Sequence, residues 1–153
     1  MERYEKILTD HELPDTFSEY LTLSQDDGGL VIYGCKLGED QAFVILVRDV
    51  MAFHVYEEFC HPDMDRPKEN TSPSYSNGSK ATYYPTLEII NSKWIDSFSE
   101  NRLRDHQREG ARHFQFLSYS DVIDVISYNK PQVNVIPYSE YVILKELINA
   151  KFI

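Results

Sequence analysis

The chain has 153 residues, 42% of them apolar and 13% aromatic, with 25 Asp and Glu against 15 Lys and Arg for a formal net charge of -10. That length fits one domain spanning residues 1–153, and the aromatic content excludes a chain too polar to fold. The charge disfavours nucleic acid and anionic membranes as partners, because like charges repel at a distance, and it favours encounter with a basic protein.

The excess is one-sided. Residues 1–65 hold 15 acids against four bases, whereas residues 66–153 hold ten acids against eleven bases. The opening Met1–Lys6 lacks the pattern of a secretory signal, and the longest apolar run, Ala42–Val47, is too short to cross a bilayer. The expectation is therefore a cytoplasmic protein, with no membrane contact and with Cys35 and Cys60 as reduced thiols.

Taken in chain order, the pattern is mainly strand-like. Residues 16–23 alternate loosely around Phe17, Tyr20, Leu21 and Leu23, and Gln25–Gly29 supplies turn chemistry. Leu30–Tyr33 and Ala42–Val47 are β-branched and aromatic runs that read as a hairpin, separated by Gly34 and the turn Leu37–Asp40. After Arg48 and Asp49, the strand Met51–Tyr56 is expected to place Met51, Phe53 and Val55 on one face. Residues 62–80 carry Pro62, Pro67, Pro73 and the Asn77-Gly78 pair, with almost nothing to bury, and read as a flexible loop. Residues 82–90 return to strand. A short helical segment follows at Asn91–Ile95, with Trp94 assigned to the core, and the polar stretch 99–110 reads as solvated.

His113–Ser127 reads as two strands joined by a polar turn, and Val133–Pro137 as a last strand. A helix is expected from an N-cap at Ser139, with Tyr141, Leu144, Leu147 and Ile148 at helical spacing. These elements predict an α+β domain: one mainly antiparallel, twisted sheet of six to eight strands with one or two helices.

No spacing carries recognisable chemistry. His54, Cys60, His61, Asp63 and Asp65 follow no metal-ligand rule, and neither metal nor cofactor is expected. Nucleophile, P-loop and dinucleotide motifs are missing from the sequence, so no catalytic residue is assigned and the chain is read as a non-enzyme. Arg102, Arg104, Arg108 and Arg112 are interleaved with Glu100, Asp105 and Glu109 and read as a salt-bridged, solvated stretch. Glu88 with Asp96, or Asp121 with Asp124, could form a carboxylate pair only if the fold joined them. Three positions apart on a strand, Asp121 and Asp124 point to opposite faces; Asp121 is expected to hydrogen-bond the turn, and Asp124 to lie on the outer face.

Leu87–Ile95 with its Asn91-Ser92-Lys93-Trp94-Ile95 core, then His113-Phe114-Gln115-Phe116, Asp121 and Asp124-Val125-Ile126, resemble a pattern in small bacterial proteins. These include orphan and immunity-type proteins that neutralise toxins. The resemblance spans residues 86–127; it implies an α+β fold with a twisted antiparallel sheet and brings no catalytic residues. With the acidic charge, it implies a binding protein that blocks a basic toxin by occlusion. The partner-binding residues expected for that role are Asp26, Asp27, Glu39, Asp40, Glu57 and Glu58. An accessory subunit of a bacterial secretion or phage-related assembly is the alternative, and an enzyme ranks third.

Overall fold

Alternating apolar and polar side chains put one face of each strand against a core, and here two sheets share that core. The computed structural model describes residues 2–14, 16–57, 84–98 and 110–150. The first strands are β1 (Arg3–Lys6), β2 (Glu19–Ser24), β3 (Leu30–Cys35), β4 (Gln41–Val47) and β5 (Val50–Glu57). They are followed by β6 (Thr86–Ile90), helix α1 (Lys93–Ser97), β7 (Arg112–Leu117), β8 (Asp121–Ser127), β9 (Gln132–Pro137) and helix α2 (Tyr138–Ala150). One sheet has the order β1-β6-β7-β8-β5, the other β2-β3-β4-β9, and every strand pair is antiparallel.

The single sheet expected from the sequence is thus two sheets, and the strands number nine among the described residues rather than six to eight. The reason lies in the inward faces. Phe114, Phe116, Ile123 and Val125 of one sheet meet Ile32, Phe43, Ile45 and Val47 of the other in one buried cluster. Each sheet covers the other, so little helix is needed to exclude water. Between β4 and β5 the chain changes sheet through two residues, Arg48 and Asp49.

Several local expectations change for identifiable reasons. Gly34 does not end its strand: β3 runs on to Cys35, with Gly34 paired to Tyr20 and Phe43 on either side, and the Phe17 and Tyr20 rings fill the space where a Cβ at residue 34 would stand, 2.8 Å from each. Met51 does not share a face with Phe53 and Val55. A register shift between Val50 and Ala52 turns Met51 outward, where it packs with Ile126 and Trp94. Helix α2 begins at Tyr138, whose N–H donates to the Asp40 carbonyl, so Ser139 lies inside the first turn instead of capping it. The expected loop at 62–80 lies outside the described residues, as do Cys60 and most of 99–110. Among the described residues, no helix is long and apolar enough to cross a membrane.

Candidate functional site

The five described acids among the expected partner-binding residues divide between the two ends of the sandwich; Glu58 lies outside the described residues. Asp26 and Asp27 occupy the β2–β3 turn, where Asp27 Oδ1 accepts the Gly29 N–H at 3.1 Å. Val50 N–H donates to Gly28 O at 3.0 Å, so this turn abuts the start of β5. Glu39 and Asp40 occupy the β3–β4 turn, at the far end of a strand that spans roughly 17–20 Å. Glu57 ends β5 and pairs in register with Asp121, the first residue of β8. Phe17 bridges to Ser118, and its carbonyl accepts from Tyr119 N–H at 3.0 Å, which brings the start of β2 beside the β7–β8 turn.

One end therefore gathers Glu39, Asp40 and Glu57, and adds Glu19 and Asp121, which the sequence had not marked as partner-binding. Asp26 and Asp27 stand apart from them. The charges at this end act on each other. Burial raises the Asp121 pKa, the Ser120 hydroxyl offsets part of the rise, and the negative charges of Glu19 and Glu57 raise it further. Asp121 does not itself close the turn. Ser118 does, its Oγ accepting the Asp121 N–H at 2.9 Å and its backbone N–H bonding the Asp121 carbonyl.

Glu19 also anchors α2. Lys145 Nζ lies 2.6 Å from Glu19 Oε1, the Cys35 thiol lies 3.9 Å from the same oxygen, and Tyr141 is buried beside them. Burial opposes ionisation of Glu19, but the Lys145 bond, with the nearby Tyr141 and Cys35 dipoles, outweighs it and lowers the pKa. The Tyr141 hydroxyl is enclosed without a partner at hydrogen-bond geometry, and burial first, then the neighbouring thiol and carboxylate, push its ionisation far up. Burial likewise raises the Cys35 pKa. This thiol is protonated and withdrawn from water, the opposite of an activated nucleophile.

A second polar group lies on the outer face of the five-stranded sheet. His113, Gln115 and Asp124 alternate with the core residues of β7 and β8 and so point away from the other sheet. His113 Nε2 is 2.6 Å from Asp124 Oδ1, Gln115 Nε2 donates to the same oxygen at 3.1 Å, and Ser92 Oγ is 2.7 Å from His113 Nδ1. All four residues are buried. Ser92 is also the N-cap of α1, its Oγ accepting the Ile95 N–H at 3.2 Å. With Nδ1 accepting from the Ser92 hydroxyl and Nε2–H donating to Asp124, each of these two contacts joins a donor to an acceptor. Half-buried Trp94 stands edge-on against both His54 and His113, with ring centroids 4.2 Å and 5.1 Å away. The serine hydroxyl is committed on two sides, so the arrangement clamps α1 to the sheet.

Asp124 is on the outer face, as its strand position implied, but it is buried and hydrogen-bonded rather than solvated. Asp121 and Asp124 do point to opposite faces. Glu88 makes no pair with Asp96: both its oxygens receive the Arg112 guanidinium, at 2.6 and 2.8 Å, and that bond raises the Arg112 pKa. Of the possible ligands at 54–65, only His54 is described, and among the described residues no three His, Cys, Asp or Glu converge as a metal site. The motif Asn91–Ile95 and the His113-Phe114 strand carried a signal for the buried network, since both supplied polar residues beside apolar ones. Their contact with Asp124 could not be read without the register. No protein-family model matches the chain, and comparison with curated proteins and with solved structures gives no match.

Proposed function

We propose that this chain is a non-enzymatic, cytoplasmic binding protein that engages a basic protein by occlusion, with neutralisation of a bacterial toxin as the specific form of that role. The observation that carries the reading is the placement of Glu39 and Asp40, in the β3–β4 turn, at the same end of the sandwich as Glu57 and Asp121, where Asp121 feels the charge of Glu57 and of Glu19, the latter paired with Lys145. Such a field draws a cationic surface into encounter and orients it. The architecture is read as α+β, with α1 and α2 each laid on the outer face of one sheet.

The test uses the basic protein that co-purifies from the native host, followed by stopped-flow association over a range of ionic strength. The triple variant Glu39→Lys, Asp40→Lys and Glu57→Lys should slow association about tenfold at low salt and flatten its salt dependence. Asp26→Lys, at the opposite end, should change little. Asp27 is left intact because it holds the Gly29 N–H. Equal rates for the triple variant and the native chain would remove the reading.

A further inference from the structure

The two sheets part along one side. Strands β5 and β9 end their respective sheets on that side, since β4, next to β9, passes into β5, and β8, next to β5, passes into β9. Phe53 and Val55 share the inward face of Val125 and Ile123, and Val135 shares that of Phe43, all three of these partners' faces belonging to the common core. Yet Phe53, Val55 and Val135 are 41%, 43% and 51% exposed. The core thus continues outward as an apolar cleft between the two edge strands.

The lips of the cleft differ. Strand β5 carries a bulge, a device that blunts an edge, and β1, at the opposite side, is charged at three of its four positions. Strand β9, QVNVIP, has no charged residue and its one proline, Pro137, stands at its last position; among the described residues it pairs only with β4. A strand edge that no described strand pairs, beside an apolar cleft, selects an extended chain. Backbone groups of that chain satisfy the edge, and every second side chain enters the cleft. Charge completes the selection. Glu57 ends β5, and Asp40 lies beside the end of β9, where Gln41 pairs with Pro137 and Tyr138 N–H bonds the Asp40 carbonyl.

We infer that the β5–β9 cleft receives an extended segment of the basic partner, paired antiparallel to β9, with alternate apolar side chains between the sheets and basic residues at its N-terminal end against Asp40 and Glu57. The inference rests on the binding role proposed above and specifies its geometry. The chain's own charge of -10 opposes a second copy in that place and favours a cationic segment.

The probe is a short synthetic peptide with a lysine pair followed by alternating valine and threonine, compared with forms carrying a glutamate pair or a scrambled order. Amide hydrogen exchange at Val133–Ile136 should slow in the presence of the lysine peptide. The glutamate and scrambled forms should bind about tenfold more weakly. Val135→Lys, at an exposed position and checked for an unchanged melting temperature, should abolish the protection. Protection missing at ~1 mM peptide, or appearing on β1 or β2 instead, would overturn the inference, as would binding unaffected by Val135→Lys. Self-association that Val135→Lys abolishes would also overturn it, by making a second copy the occupant. If the captured basic protein still depends on Glu39, Asp40 and Glu57 while Val135→Lys leaves its affinity unchanged, strand addition fails and the acidic encounter surface stands. Protection of β9 by the peptide without any dependence of the captured protein on those acids would have the reverse meaning.

Discussion

His113 Nε2 and Asp124 Oδ1 lie 2.6 Å apart across neighbouring strands, with both side chains almost wholly withdrawn from water. A carboxylate in that position needs its donors, because no solvent replaces a lost one. Gln115 supplies a second donor, and Ser92 ties the far side of the imidazole to the start of α1.

Removing one partner should therefore cost more than the pair is worth. His113→Ala and Asp124→Ala are each expected to destabilise by about 3–5 kcal/mol in urea unfolding, and the double variant by clearly less than the sum. Additive losses would mean that the two groups act independently. Ser92→Ala should cost about 1–2 kcal/mol, through the lost helix cap and the lost hydroxyl partner of His113.

The Glu19–Lys145 pair should give a pH-dependent share of stability. The pKa of Glu19 is lowered in the fold, so its contribution is fully present above the unfolded value near 4.5 and is lost as pH falls through the folded value. Lys145→Met should cost at most about 1 kcal/mol at neutral pH, since both side chains are partly exposed. The cost should vanish in acid. A difference between Lys145→Met and the native chain that stays constant down to pH ~3 would contradict the assignment. Asp121 runs the other way: its pKa is raised, so its ionisation withdraws stability as pH rises through the folded value, and Asp121→Asn should stabilise slightly at neutral pH.

Trp94 is neither fully buried nor free. It packs with Ile95, Ile126, Met51 and Phe98 and stands against two imidazoles, while part of its ring remains accessible. Trp94→Ala should cost about 2 kcal/mol, roughly half the value for a core tryptophan. Acrylamide should quench its emission to an intermediate extent. A loss of about 4 kcal/mol with no quenching would place it in the core proper.

Gly34 sits where two rings converge. An added Cβ would stand 2.8 Å from both Phe17 and Tyr20, in the middle of a paired strand, and those rings are held by the core. Gly34→Ala should destabilise by about 1–3 kcal/mol, read from the denaturation midpoint at unchanged m-value. A neutral result would show that the rings can move aside.

Local pattern was enough to place β3, β4, the turn at Asp26–Gly29 and the opposite orientation of Asp121 and Asp124, because strand alternation and turn chemistry act over a few residues. It also located the short helix at Trp94 and the helix at the C-terminal side. It could not separate one sheet from two, since an inward face looks the same whether a helix or another sheet covers it. Charge counting marked Asp26 and Asp27 with Glu39, Asp40 and Glu57 as one set; the hairpin geometry puts a strand's length between them and brings in Asp121 and Glu19 instead. The meeting of Ser92, His113 and Asp124 likewise depends on register between β7 and β8 and on where α1 lands. Register is set by how the inward side chains of two sheets fill one core, a condition on the whole packed chain that no short stretch of sequence contains.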